Sequence, residues 1–99
     1  MNDIVAEIIA TRVPRLLDFK LRQDGKFYLV LSLSSNDRNI ISLNGTATRI
    51  LSLCDGNNNI DTIANILAKQ YNAEFKTVRN DTLALIRLLE GAKIISTHL

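Results

Sequence analysis

Tryptophan is absent, and proline, methionine, histidine and cysteine each occur once in the 99 residues, at Pro14, Met1, His98 and Cys54. A lone thiol cannot close an intrachain disulfide, and one cysteine with one histidine does not make a zinc ligand set. Histidine-based acid–base or nucleophilic catalysis needs a second group to orient the ring, and His98, one residue from the C-terminus, is expected to fray rather than to hold one. The four glycines, Gly25, Gly45, Gly56 and Gly91, stand apart. They form neither a phosphate-cradling loop nor a dinucleotide fingerprint. Carboxylates such as Asp55, Asp61 and Asp81 are spread over helix ends and faces, where capping and solvation explain them. No catalytic, metal or cofactor constellation emerges, and the chain is read as non-catalytic.

Charge of one sign is also scarce. Twelve Lys and Arg face ten Asp and Glu, a net +2, too small an excess to mark a nucleic-acid footprint by itself. No apolar run reaches the roughly 18 residues that span a bilayer. The first residues carry Asp3 and Glu7 where a secretory signal needs Lys or Arg. Together these point to a cytoplasmic domain with no membrane segment, of a size for one hydrophobic core.

What is present is a change of hydrophobic period along the chain. Ile4, Val5, Ile8 and Ile9 form a helical stripe over residues 2–12, closed by Pro14, and this extra N-terminal helix is expected to pack on the domain or on a second copy in a homodimer. The period then drops to two. Leu17, Phe19 and Leu21 alternate with Asp18, Lys20 and Arg22, while Phe27, Leu29, Leu31 and Leu33 alternate with Tyr28, Val30 and Ser32, so the first set of each predicts the buried face. Asp24 and Gly25 predict a type I′ turn between the two strands. Asn39 to Leu43 is short and β-branched and predicts a third strand.

From Asn44 onward the period is 3.6. Asn44 predicts a cap for a helix with Ala47, Ile50, Leu51 and Cys54 inward, ended by Gly56 in the left-handed conformation. A second helix carries Ile60, Ile63, Ala64, Leu67 and Tyr71 on one stripe and stops near Asn72. A third, from about Phe75 to Glu90, turns Val78, Thr82, Leu85, Ile86 and Leu89 inward and is closed by Gly91. Residues 93–97 predict a short final strand or a packed tail. The fold class is α+β: a three-stranded antiparallel sheet followed by three helices, winged helix-turn-helix-like although the sheet comes first. Residues 1–13 are read as a helical extension and 14–97 as the domain.

Two surface features follow from this layout. Lys76, Arg79, Asn80, Leu83 and Arg87 share one outer face of the third helix, a cationic strip with an apolar residue in it. The third strand carries no charge from Asn39 through Ile40, Ile41 and Ser42 to Leu43, and an uncharged sheet edge is a template for another chain. Cys54, on an inward stripe, reads as a small core residue with a raised pKa.

Leu43-Asn44-Gly45-Thr46-Ala47, Ile50-Leu51 and Leu53-Cys54-Asp55-Gly56 resemble the signature of PqqD-like proteins, and a weaker similarity extends from about Pro14 to Ile95. Asn59 stands where the family commonly has Thr, one cap for another, and Asp81-Thr82 where it often has Asp-Val. The resemblance implies a recognition element for ribosomally made, post-translationally modified peptides. In such a protein the leader of a precursor peptide adds as a strand along the third strand, beside the third helix, and is presented to a modifying enzyme, often a radical S-adenosylmethionine enzyme. Asn39, Ile40, Ile41, Ser42, Lys76, Arg79, Asn80, Leu83 and Arg87 are then the peptide-binding set, with the cations suited to an acidic leader and Leu83 to an apolar anchor. A DNA-binding winged helix is the alternative, since it too carries a basic third helix. A structural subunit whose groove is filled by another protein is a further one.

Overall fold

A computed structural model describes residues 12–33 and 40–98. The N-terminal helix expected over residues 2–12 falls almost wholly outside the described residues, as does Asn39. The elements in chain order are β1 (Val13–Leu16), β2 (Phe19–Asp24), β3 (Phe27–Ser32), β4 (Ile40–Leu43), α1 (Gly45–Leu53), α2 (Ile60–Gln70), α3 (Phe75–Gly91) and β5 (Ile95–His98). The three-stranded sheet has the order β2-β3-β4, antiparallel throughout, and β4 is the third strand expected from sequence.

A second, two-stranded sheet was not expected. β1 pairs antiparallel with β5, Pro14 opposite Thr97. Pro14 therefore sits buried in a strand instead of closing a helix, and His98 ends a paired strand rather than a frayed tail. The pairing joins opposite ends of the described chain, from Val13 with His98 to Leu16 with Ile95, which local periodicity cannot register. The Leu17 N–H donates to the Ile94 carbonyl at 2.9 Å and extends the tie toward β2.

The hairpin between β2 and β3 turns one residue later than the dipeptide implied. Asp24 pairs with Phe27, so Gly25 and Lys26 are the central residues. Gly25 has φ +62°, while Lys26 is not among the positive-φ residues, the pattern of a type II′ turn with glycine first.

That shift accompanies a more consequential reversal. Val30 is fully buried and Ser32 nearly so, while Phe27 is 52 % exposed and Leu33 54 %. The inward row of β3 is Tyr28, Val30 and Ser32, the opposite parity to the one its leucines suggested. The cause is the connection from β4 to α1. Only Asn44 separates them, so the side of β4 that carries Leu43 must lie beneath the helices. Register places Tyr28 opposite Leu43 and Val30 opposite Ile41, and directly opposed residues share a face. Ser32 is accommodated there because its hydroxyl donates to the Lys93 carbonyl at 2.7 Å.

The helices largely follow their sequence signals. The Asn44 and Asn59 side chains accept the N–H groups of Ala47 and Thr62, each at 2.8 Å, removing one orphan donor from each helix start. Asn72 takes φ +49° just after α2. Tyr71, expected inward, caps α2 and is exposed. Gly56 has φ +84° and donates its N–H to the Pro14 carbonyl at 3.1 Å, tying the end of α1 to β1. Gly91 is still helical. The left-handed residue that follows α3 is Lys93, at φ +62°.

One core results, with Val30, Leu43, Ile50, Leu51, Ile60, Ile63, Leu67, Ile86, Leu89 and Ile95 in a single cluster. The face assignment predicts unequal costs for one polar replacement. Val30→Ser should lose about 2–4 kcal/mol through lost burial and a cavity, and Phe27→Ser under about 1 kcal/mol. Urea denaturation of both variants measures the difference, and the reverse order would return the leucine row to the core.

Candidate functional site

Among the described residues β4 is an edge strand of its sheet, paired with β3 on one side only. Its four residues split between the two faces: Ile41 and Leu43 turn toward the helices, Ile40 and Ser42 turn away. Ile40 is 63 % exposed. No charged side chain lies on the strand, so the edge has none of the inward charges or lysines that blunt exposed edges.

α3 supplies the other half of the expected site, and the structure divides its strip. Lys76, Asn80 and Arg87 are exposed as anticipated. Asn80, Leu83, Ala84 and Arg87 line a shallow depression of about 240 Å³, with Ala84 as the member that sequence reasoning missed. Leu83 is not exposed. It lies on the shoulder of the buried arc formed by Thr82, Ile86 and Leu89 and is 4 % accessible. It therefore forms the floor of the depression and joins the same core cluster as Leu43 of β4.

Arg79 is also not a free cation. Its Nε lies 3.0 Å from Asp61 Oδ1, and Asp61 sits in the first turn of α2, where the helix dipole favours a carboxylate. The N–H is not aimed at the oxygen, since the two atoms complete no hydrogen bond, and among the described residues Arg79 Nη2 is buried without a partner. The contact is a charge pair that fixes α3 against α2, and sequence periodicity had no way to pair a residue of one helix with a residue of the next.

The expected site residues are thus brought to one domain but not into one cluster. α3 packs chiefly against α2 and β5, whereas β4 packs against β3 and α1. Among the described residues no group of three His, Cys, Asp or Glu side chains is placed to hold a metal ion, and no helix is long and apolar enough to cross a membrane.

A second depression, of about 220 Å³, lies on the opposite side of the sheet and is lined by Lys20, Arg22, Leu29, Val30, Leu31 and Ile40. Sequence reasoning had placed Leu29 and Leu31 inside, and so missed it.

The family model for Coenzyme PQQ synthesis protein D (PqqD) matches residues 29–95, from β3 through the start of β5. The chain belongs to the PqqD family. Its fold agrees with the solution structure of the PqqD truncation of Methylobacterium extorquens PqqCD, at a TM-score of 0.68 and 29 % identity over 85 % of this chain and 88 % of that one. That protein is described as a functional and stand-alone recognition element for ribosomally synthesized and post-translationally modified peptides. No curated protein sequence matches.

The PqqD-like motif from Leu43 to Gly56 acts on the fold rather than on the two surface features. Leu43 and Cys54 are buried, Asn44 caps α1, and Asp55 Oδ1 accepts the Asn57 N–H at 2.9 Å in the turn that follows. The Cys54 thiol donates to the Ile50 carbonyl at 3.3 Å. Burial first, and the neighbouring Asp55 charge second, push its pKa from an ordinary 9.0 up to about 12. The native fold therefore holds the protonated thiol better than the unfolded chain does. This contribution to stability is complete below pH 9 and is lost as pH rises through about 12. Iodoacetamide at pH 8 should leave native Cys54 unmodified and label it fully in denaturing urea, read by intact mass. Rapid native labelling would contradict the core role.

Proposed function

We infer that this PqqD-family domain is a non-catalytic peptide chaperone: it binds the leader of a ribosomally made precursor peptide and presents it to a modifying enzyme, with the radical S-adenosylmethionine enzymes as one candidate class. The leader adds as a strand to the free edge of β4, running beside α3. The observation that carries this reading is the uncharged, one-sided edge of β4 in a chain whose structural neighbour is a peptide recognition element. Main-chain pairing supplies affinity without regard to sequence, and side-chain pockets supply selectivity.

Alternation sets how the leader is read. Side chains on one parity fall beside Ile40 and Ser42 on the outer face, and those on the other fall beside Ile41 toward the helices. Lys76 and Arg87, exposed and not committed to a carboxylate in the described residues, suit acidic leader positions. Arg79 serves by positioning α3, and Leu83 offers an apolar floor to an anchor residue. The winged helix-turn-helix-like character belongs to the same reading, with α2 and α3 joined by the four residues Tyr71 to Glu74. With Arg79 engaged and Leu83 buried, Lys76 and Arg87 are the cations of the strip without a carboxylate partner among the described residues, a weak footprint for a phosphate backbone.

Successive N–H groups along β4 point to opposite sides within the sheet plane, so proline at adjacent positions removes different bonds. Among Ile41→Pro and Ser42→Pro, one should lose an internal ladder bond and melt early. The other should keep its melting temperature and bind the leader at least tenfold more weakly. Ile41→Ala controls for the side chain. Calorimetric titration with the leader segment of a candidate precursor peptide gives the affinities. Unchanged binding in both folded variants would remove strand addition from the mechanism.

Reversing the free cations tests selectivity separately. Lys76→Glu with Arg87→Glu should weaken an acidic leader about tenfold at low ionic strength and much less at high. A salt-independent loss would point to altered packing instead.

A further inference from the structure

Main-chain pairing at a sheet edge is blind to sequence, so selectivity along β4 must come from the side chains that an added strand would lie beside. The four side chains of β4 are unequal in this respect. Leu43 is 2 % accessible, Ile41 is half-buried against the core, and Ser42, though exposed, is polar. Ile40 is 63 % exposed, the highest value among the exposed large apolar side chains of the described residues. Most of the apolar surface that a neighbouring strand could still remove from water on β4 therefore belongs to one residue. It lies on the outer face of the sheet, away from the helices.

Register continues that surface across the sheet. Leu31 lies directly opposite Ile40 and Lys20 directly opposite Leu31, while Ser42, Leu29 and Arg22 form the next row. Leu29, Leu31 and Ile40 line the 220 Å³ depression, and both leucines are half-buried. Neighbouring strands stand about 4.8 Å apart. A side chain on a strand added beside β4 is then one spacing from Ile40, two from Leu31 and three, about 14 Å, from Lys20. It meets an apolar row, and the cations of β2 are out of its reach. Two residues along on the same face, its neighbour meets the Ser42 hydroxyl instead.

We propose that Ile40, backed by Leu31, selects an apolar side chain of the leader on the outer face of the sheet, next to a polar one that falls beside Ser42. The leader is then read from both faces, since its alternate side chains fall beside Ile41 toward the helices. This deepens the strand-addition reading and rests on it. An exposed isoleucine at an uncharged edge is a liability for self-association, and a leader side chain packed on it removes that exposure. Because the contact is apolar, it is insensitive to salt, unlike a contact with Lys76 or Arg87.

A library of short random peptides displayed on mRNA, selected in parallel against the natural chain and against Ile40→Lys, tests it. The substitution is at an exposed position and should leave the melting temperature within about 2 °C. Peptides enriched on the natural chain should share an apolar residue at one position, with a polar residue two places to one side. On Ile40→Lys that apolar position should change to Asp or Glu, while the preferences at alternate positions stay as they were. As a second measurement, Ile40→Thr keeps a β-branched side chain in the strand and should bind the peptides enriched on the natural chain about tenfold more weakly at low and at high salt alike, read by fluorescence anisotropy. An apolar residue retained at that position on Ile40→Lys, or an unchanged affinity in Ile40→Thr, would overturn the proposal. Failure of strand addition itself looks different. An absence of enriched peptides, or enriched peptides whose affinity survives in every folded variant of Ile41→Pro and Ser42→Pro, would remove both readings together.

Discussion

The single residue between β4 and α1 constrains much of the domain. Asn44 must end a strand, turn the chain and cap a helix, and it does so with its side chain bonded to the Ala47 N–H at 2.8 Å and its carbonyl bonded to the Thr48 N–H at 2.9 Å. Such a cap is worth about 1 kcal/mol, comparable to many single contacts. Its larger effect is geometric. A joint this short leaves no freedom for β4 to rotate about its axis, so Leu43 is held beneath α1, and the ladder passes that orientation to β3 and then to β2. The burial of Val30, the outward turn of the half-buried β3 leucines and the placement of Lys20 and Arg22 on the outside all descend from that joint.

A second set of ties holds the chain ends to the same core. β1 and β5 pair, Gly56 bonds back to Pro14, Ser32 bonds to the Lys93 carbonyl, and the Thr97 hydroxyl donates to Glu90. Each links segments far apart in sequence and depends on the others being in place. Each such contact must offset the entropy of closing the loop it spans.

The sheet emerges with two differently used boundaries. Its β4 edge presents backbone groups on the side away from β3, and its outer face presents side chains. Elsewhere on the domain, α3 carries exposed cations at Lys76 and Arg87 and the buried floor residue Leu83. On the proposed reading, a peptide bound there would meet helices already packed on each other, with Arg79 paired to Asp61 across α2 and α3. Rigid elements of this kind lower the ordering cost of binding, which then falls mainly on the extended peptide.

Much of this was legible in the chain itself. Asn44 and Asn59 before periodic apolar stripes, Asn72 and Gly56 at the ends, and the motif from Leu43 to Gly56 determined three helices, their inward stripes and the family, because caps and 3.6-residue periods are local signals. The uncharged run at β4 likewise marked the edge. What only the tertiary structure decided was non-local. In β3 both parities carry apolar side chains, Tyr28 and Val30 on one and Phe27, Leu29 and Leu31 on the other, so alternation alone could not choose the buried face. The Asn44 joint did. The β1–β5 pairing, the capture of Arg79 by Asp61 and the sinking of Leu83 into the core each require two distant segments to meet, and no window of sequence contains both partners.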